Sequence, residues 1–203
     1  MSCEVGGEAR RKRERVVVFT RYPELGRVKS RLAATLGPER ACEIHDQLAR
    51  HAVAEARGWG GELQIRVTGG EPEQWDRWLG PAVWLDQGGG DLGERLARAV
   101  DAAFGDGCEK LVLMGTDCPG LDRRVLARSF EVLAEKDVVF GPAEDGGYYL
   151  VGLNRRIEGL FDGVDWGTDR VLAQSLAKAP DAGLLARLSD VDVEDDLKKT
   201  GWC

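Results

Sequence analysis

The strongest constraint on the fold is the order in which short apolar runs and helical patterns follow one another along the chain. Val16–Phe19 and Leu111–Met114 are continuous apolar runs, which are typical of strands covered on both faces. Other segments carry apolar residues at intervals of three or four, the period of an amphipathic helix. Because strands that alternate with helices favour a parallel sheet, the sequence predicts a three-layer α/β sandwich with a mostly parallel central sheet.

The remaining elements are predicted from the same patterns and from the turn residues between them. The other predicted strands are Leu63–Val67, Val83–Leu85, Val138–Phe140 and Tyr148–Leu153. Helices are predicted from about Val28, over Pro38–Arg57, around Trp75, after the three glycines at 88–90, after a cap at Asp122, and from a cap at Thr168 to Pro180. No repeat or long linker divides these elements, so we expect a single domain over residues 16–203, preceded by a flexible basic tail over residues 1–15.

Charge and composition restrict the possible partners. The chain carries 28 Lys and Arg against 35 Asp and Glu, a formal net charge of −7, although residues 1–15 are themselves basic. An acidic body disfavours broad binding to nucleic acid or anionic membranes, and no apolar run approaches the roughly 18 residues of a membrane span. Five cysteines without metal-ligand spacing argue against a zinc motif and a disulfide scaffold. We therefore expect a cytoplasmic protein with no nucleic-acid and no membrane partner, and the oligomeric state stays open.

The segment over residues 20–31, which follows the first predicted strand, has the properties of a phosphate-binding loop. It concentrates four cations, Arg21, Arg27, Lys29 and Arg31, in an otherwise acidic chain. It also leads from a strand into a helix, where free backbone N–H groups and the positive end of the helix dipole suit an anion. The Walker A pattern is absent. A solvated surface loop is the alternative interpretation.

Acidic residues after later strands are candidates for metal binding and acid–base chemistry. Asp117 directly follows the run at 111–114, where a carboxylate could hold Mg²⁺ or Mn²⁺ together with a phosphate, or could simply accept loop N–H groups. Asp145 precedes Gly146 and Gly147, which would let the backbone approach a ligand closely or would form a hairpin turn. Asp192, in an acidic run, could complete the metal site, or the run could complement a helix N-terminus.

Six motifs occur in a specific order along the chain. They read FTRYPELGRVKSRL, GGGDLGERL, GTDCPGL, GPAEDGGYYLVGL, WGTDRVL and DVDVEDDL. In this order they resemble a bacterial family of candidate glycosyltransferases with the nucleotide-diphospho-sugar transferase (GT-A-like) fold, often associated with radical-SAM and selenium- or arsenic-related gene clusters. The family is distantly similar to phospholactate guanylyltransferase and to the guanylyltransferase of molybdenum-cofactor maturation. The resemblance covers about residues 16–197.

The resemblance implies an enzyme that binds a nucleotide-activated donor, a nucleotide sugar or a nucleoside triphosphate, with Mg²⁺ or Mn²⁺ and a small-molecule acceptor. The residues that would contact the nucleotide and its phosphates are Thr20, Arg21, Lys29 and Arg31. The metal would lie at Asp117, with Asp192 near it, and the acceptor side would include Asp145, Gly146 and Gly147. Lys29 and Asp145 are the candidate catalytic residues.

The reaction is predicted to be sugar transfer, with two alternatives. The first loop lacks the Gly-Gly-rich signature of typical nucleotidyltransferases, and Asp-x-Asp occurs at residues 190–192 rather than around Asp117. The acid-flanked segment at 141–152 would suit a polyhydroxylated group, with Tyr148 and Tyr149 on opposite faces so that at most one faces the ligand. A guanylyltransferase-like nucleotidyltransferase acting on a phosphorylated small molecule is the first alternative, and a non-catalytic nucleotide-binding subunit is the second.

Overall fold

The computed structural model describes residues 13–202, so almost all of the predicted tail lies outside the described residues. The strands are β1 (Glu14–Arg21), β2 (Glu62–Thr68), β3 (Val83–Asp86), β4 (Lys110–Met114), β5 (Val138–Pro142), β6 (Tyr148–Leu153) and β7 (Gly183–Leu184). The helices are α1 (Ser30–Leu36), α2 (Pro38–Trp59), α3 (Pro72–Leu79), α4 (Leu92–Gly105), α5 (Arg123–Val132), α6 (Val171–Lys178) and α7 (Glu194–Thr200). Each predicted strand and helix is present.

The strands form a seven-stranded sheet in the order β3-β2-β1-β4-β6-β5-β7. Strand β1 is parallel to both β2 and β4, and β3 is parallel to β2. Strand β6 is antiparallel to β4 and to β5, and the short β7 is parallel to β5. The predicted α/β architecture with a mostly parallel central sheet is confirmed. None of the helices within residues 13–202 is long and apolar enough to cross a membrane.

Two apolar clusters, one on each face of the sheet, form the main core. Because successive side chains of a strand point to opposite faces, Val16 and Val18 of β1 pack with helices α2, α3 and α5, whereas Val17 packs with α4. Strand β4 divides its residues in the same way. This coverage of both faces is the reason that β1 and β4 are continuously apolar rather than alternating.

A third apolar cluster joins distant parts of the chain. Val191, which is completely buried, packs with Leu32 of α1 and with Ile44 and Leu48 of α2. Its backbone N–H donates to the Asp117 carbonyl oxygen over 2.9 Å. This packing carries the late acidic run of residues 190–196 to the first loop of the protein.

Three local predictions differ from the structure. Strand β1 begins at Glu14, two residues before the predicted start, because Arg15 is buried between Glu62 and Asp106 and pairs with both carboxylates. Helix α1 begins at Ser30 rather than at about Val28. Thr168 does not cap α6, whose N-cap is Arg170; its hydroxyl donates to the Asp165 carbonyl and accepts from the Arg170 N–H.

Candidate functional site

An open cavity of about 430 Å³ lies at the carboxyl ends of the four neighbouring parallel strands β3, β2, β1 and β4. Ligands of open α/β sheets bind beyond this edge. The lining includes one polar residue from the end of each strand or directly after it: Gln87 for β3, Thr68 for β2, Thr20 for β1 and Asp117 for β4. The four strand ends therefore present a continuous polar wall.

Most of the residues predicted to bind the donor or the metal meet at this cavity. Thr20, Arg21, Lys29, Asp117 and Asp192 all line it. Arg31 is not part of the lining, but its Nη1 donates to Asp192 Oδ2 over 2.6 Å. The structure thus brings together side chains that are separated by more than 160 positions in the sequence.

Lys29 joins three segments at the end of the cavity beside β4. Its Nζ lies 2.6 Å from Asp117 Oδ1 and donates to the Val191 carbonyl oxygen, also over 2.6 Å. The Lys29 side chain is 6% exposed, whereas that of Asp117 is 54% exposed. The ammonium is therefore held in place by the protein, while the carboxylate remains open to a ligand.

The backbone of Lys29 is in the left-handed region, with φ 48° and ψ 51°, and among residues 13–202 no other non-glycine residue has a positive φ. This conformation brings the Cβ of an L-residue too close to the following carbonyl oxygen and costs roughly 1–2 kcal/mol. Such strain persists where the surroundings hold the residue and is concentrated at functional sites. The contacts with Asp117 and Val191 are the interactions that hold Lys29 in this state.

Sequence reasoning did not identify His45 of α2, which is nearly completely buried and lines the cavity. Its Nε2 lies 2.8 Å from the Arg21 carbonyl oxygen. Burial lowers the pKa of His45, and the hydrogen bond with the Arg21 carbonyl opposes this shift only in part. The neutral ring therefore supports the backbone of the first loop, and no local sequence pattern points to that role.

Acidification should destabilise the fold through His45. Because the folded protein holds His45 at a pKa below that of the unfolded chain, the unfolded state binds the extra proton first as the pH falls through about 6.5. The free energy of unfolding should therefore decrease from pH 7 to pH 5. Denaturant titrations at both pH values should show a smaller decrease for His45→Gln than for the parent protein. An equal decrease in both would contradict this role of His45.

The predicted acceptor residues lie outside the cavity lining. Asp145 is exposed, and its Oδ1 accepts a hydrogen bond from the Gly147 N–H over 2.8 Å. Gly146 has a φ of 88°, and a Cβ at this position would lie 2.3 Å from the backbone of Asp169, so the segment is packed tightly against the loop before α6. The catalytic role of Asp145 therefore stays a prediction.

Neither Tyr148 nor Tyr149, of which at most one was predicted to face the ligand, lines the cavity. Tyr149 is buried and donates to the Ala186 carbonyl, and Tyr148 packs against Phe140 and Trp166. Both faces of β6 are covered by apolar groups, so alternation sends each ring into a different part of the core.

Asp190, like His45, has no role predicted from the sequence. It is half-buried, and burial is the main cause that raises its pKa, followed by the negative charges of Asp145 and Asp117. The same acidic surroundings and burial raise the pKa of the Cys118 thiol, which therefore stays protonated. The charged form of the Asp190 carboxyl group is therefore disfavoured by burial and by the neighbouring carboxylates.

A divalent ion would have to use few protein ligands. Within residues 13–202 no group of three or more acidic, histidine or cysteine side chains is arranged to hold a metal ion. Asp117 and Asp192 both line the cavity, and each is already paired with a cation. Mg²⁺ typically binds through one or two carboxylates plus substrate phosphates and waters. The donor set therefore fits an ion that enters with a phosphorylated ligand.

Comparisons with known proteins agree with this fold. Residues 49–168 match the model of a family described as "Uncharacterized protein conserved in bacteria (DUF2064)". A crystal structure of a candidate nucleotide-diphospho-sugar transferase from Desulfovibrio desulfuricans G20 is 32% identical, covers 92% of this chain and 85% of that chain, and has a TM-score of 0.87. No match was found among curated proteins.

Two more distant structures share the fold. Rv0371C from Mycobacterium tuberculosis H37Rv, solved in complex with manganese, is 19% identical and has a TM-score of 0.53; the match covers 92% of this chain and 96% of that one. The 4-diphosphocytidyl-2C-methyl-D-erythritol synthase from Anaerococcus prevotii DSM 20548 is 8% identical and has a TM-score of 0.63, over 97% and 98% of the two chains. The fold is thus that of nucleotide-diphospho-sugar transferases and nucleotidyltransferases. Because the family model covers more than half of the chain, the protein belongs to the DUF2064 family.

Proposed function

We propose that the protein is a metal-dependent glycosyltransferase that transfers a sugar from a nucleotide sugar to a small acceptor. The observation that carries this proposal is the Lys29–Asp117 pair at the carboxyl edge of the sheet, in the same cavity as Thr20 and Arg21. A buried ammonium beside an exposed carboxylate offers a fixed positive charge for a phosphate and an open ligand for Mg²⁺ or Mn²⁺.

The charge of the cavity suits a diphosphate. Its lining contains four cationic side chains, Arg21, Arg27, Lys29 and Arg95, against the two carboxylates of Asp117 and Asp192. In a chain with a net charge of −7, this is a local excess of positive charge. Within the described part of the chain, the Arg21 guanidinium has no hydrogen-bond or ion-pair partner, so it is available to a phosphate.

Lys29 would stabilise the leaving group. In the proposed reaction an acceptor hydroxyl oxygen attacks the anomeric carbon, the bond from that carbon to the diphosphate oxygen breaks, and a nucleoside diphosphate leaves. A bound Mg²⁺ or Mn²⁺, held by Asp117 and Asp192, would add positive charge beside the departing diphosphate. The ammonium of Lys29 supplies the same stabilisation from a position already fixed before the reaction.

Asp145 would take the proton of the acceptor hydroxyl. Its carboxylate is exposed, and the bond from the Gly147 N–H to Oδ1 fixes the orientation of the group. Asp145 follows β5, whose carboxyl end lies at the same edge of the sheet as that of β4, because β6 runs antiparallel between them. An acceptor bound at this edge would therefore lie near both the proposed base and the donor end of the cavity.

Two features favour sugar transfer over nucleotidyl transfer. The segment from Thr20 to Lys29 contains a single glycine, Gly26, and so lacks the Gly-Gly-rich signature of typical nucleotidyltransferases. The relative that is 32% identical is described as a candidate nucleotide-diphospho-sugar transferase. Nucleotidyl transfer is the second candidate, because the diphosphocytidyl-methylerythritol synthase shares the fold over 97% of this chain.

A product assay should separate the two reactions. The protein is incubated with Mn²⁺, a pool of small hydroxyl-bearing acceptors, and either radiolabelled nucleotide sugars or nucleoside triphosphates. We expect acceptor-dependent release of a nucleoside diphosphate from a nucleotide sugar. Acceptor-dependent pyrophosphate from a triphosphate, without sugar transfer from any donor tested, would replace the proposal with nucleotidyl transfer. Tight nucleotide binding without either product would indicate a non-catalytic binding subunit.

A further inference from the structure

The cavity has two ends of different character. Asp117 and Lys29 lie at the end of β4, whereas Gln87 follows β3, three strands away in the sheet. With neighbouring strands about 4.8 Å apart, the two ends are separated by roughly 14 Å along the edge. If the phosphates lie at the Lys29 end, as the proposed function requires, the nucleoside extends towards β2 and β3.

The β3 end of the cavity is built around Arg95 of α4. Its Nε donates to the Gly90 carbonyl over 3.0 Å, and its Nη1 lies 3.3 Å from Gln87 Oε1. Gln87 is itself held by its Nε2, which donates to the Thr20 carbonyl over 2.7 Å and to the Arg66 carbonyl over 3.1 Å. The Arg95 guanidinium is therefore oriented by Gln87, whose own side chain is held by two backbone carbonyl groups.

Arg95 retains hydrogen-bonding capacity and charge that the protein does not use. A guanidinium has five N–H donors, and two of them are engaged here, so that three remain. Both acceptors are uncharged, and within residues 13–202 no carboxylate pairs with this guanidinium. Arg95 is half-buried and lines the cavity, so its remaining donors are available to a ligand there.

Two hydroxyl groups in the same lining also lack partners. Thr20 is 5% exposed, and the hydroxyl oxygens of Thr20 and Thr68 are buried without a hydrogen-bond partner among the described residues. An unsatisfied buried hydroxyl costs free energy, which a ligand with complementary polar atoms would recover. The two threonines lie at the ends of β1 and β2, between Lys29 and Arg95 along the edge. A nucleotide with its phosphates at the Lys29 end would place its ribose beside these two threonines.

We propose that Arg95 is the base-reading residue and that it selects guanine over adenine. A guanidinium only donates hydrogen bonds, so it favours a base edge that carries acceptors side by side. Guanine presents O6 and N7 in that arrangement and is the usual bidentate partner of arginine, whereas adenine presents a donor at N6 beside N7. This inference rests on the proposed function, because it assumes a nucleotide with its phosphates at the Lys29 end.

Calorimetric titration of GDP, ADP, UDP and CDP in the presence of Mn²⁺ tests the assignment. The parent protein should bind GDP about tenfold or more tightly than ADP. The variant Arg95→Gln should reduce the GDP-to-ADP preference to one or below, because a glutamine amide can pair with adenine N6 and N7. Arg124→Gln, which removes an exposed guanidinium on α5 away from the cavity, should leave the preference unchanged.

The outcomes separate this inference from the proposed function. If none of the four nucleoside diphosphates binds, the proposed function fails. If they bind but ADP binds as tightly as GDP, or if Arg95→Gln keeps the parental GDP-to-ADP ratio, the role of Arg95 is wrong while nucleotide binding stands. Melting curves without ligand should match the parent for Arg124→Gln and should be slightly lower for Arg95→Gln, which loses the hydrogen bonds to Gly90 and Gln87.

Discussion

Asp117→Asn should abolish the metal-dependent part of nucleoside diphosphate binding and leave the fold intact. Asparagine keeps an oxygen that can accept the hydrogen bond of Lys29, but it removes the negative charge that an Mg²⁺ or Mn²⁺ ion requires. Mutation of a residue that only hydrogen-bonds to a metal ligand already lowers metal affinity 10- to 100-fold. Loss of the ligating carboxylate itself should therefore weaken Mn²⁺ binding at least about 100-fold. Titration of a nucleoside diphosphate with and without Mn²⁺ measures this effect.

A matched variant controls for the loss of one negative charge. Asp181→Asn removes a carboxylate that pairs with Lys136 at the surface, is 90% exposed and does not line the cavity. It should bind the diphosphate with the same Mn²⁺ enhancement as the parent. If Asp117→Asn also keeps the full enhancement, Asp117 is not a metal ligand.

Substitution of Lys29 should produce the second large effect, and two variants distinguish its charge from its backbone strain. Both Lys29→Ala and Lys29→Gly remove the ammonium and should weaken a nucleoside diphosphate about 10- to 100-fold, the range expected for one hydrogen bond to a charged group. The bare nucleoside should bind almost as before. Because residue 29 has a φ of 48°, the free energy of unfolding should be about 1 kcal/mol higher for the glycine variant than for the alanine variant.

Denaturant titrations and nucleotide titrations of the two variants measure these quantities separately. Lys136→Ala, which breaks the surface pair with Asp181, is the control. It should bind the diphosphate and the nucleoside as tightly as the parent protein does. Equal loss of diphosphate and nucleoside affinity would point to structural damage instead of a lost phosphate contact. Equal stabilities of the glycine and alanine variants would contradict the strain assigned to Lys29.

The fold class could be predicted from local patterns because burial and backbone periodicity act on neighbouring residues. The apolar runs at β1 and β4 and the helical stripe of α4 identified their elements with boundaries close to those of the structure. Two of the mispredicted boundaries had different causes, distant contacts at Arg15 and local contacts at Thr168. Arg15 joins β1 because Glu62 and Asp106 pair with it, and Thr168 satisfies the backbone of its own turn instead of capping α6.

Part of the candidate site was predictable for a similar reason. The carboxyl ends of parallel strands share one edge, so the residues that follow β1 and β4 were expected to meet, and Lys29 and Asp117 do lie 2.6 Å apart. Asp145 follows β5, and because β6 runs antiparallel between β4 and β5, the carboxyl ends of β4 and β5 share this edge as well. The turn that contains Asp145 is packed against the backbone before α6 at Gly146 and lies outside the cavity lining. The rule therefore predicts the shared edge, whereas the packing of the turn decides which residues line the cavity.

The sequence by itself determined the α/β class and the order of strands and helices along the chain. It also showed that residue types suited to phosphate and metal binding follow the first and fourth strands. Only the tertiary structure decided that Lys29 is left-handed, that Val191 carries Asp192 to the first loop, and that His45, Gln87 and Arg95 share the cavity. The physical reason is that hydrophobic periodicity is a local property of the chain. Ion pairs, buried hydroxyls and strained backbones depend on residues far apart in sequence, which meet only when the core packs.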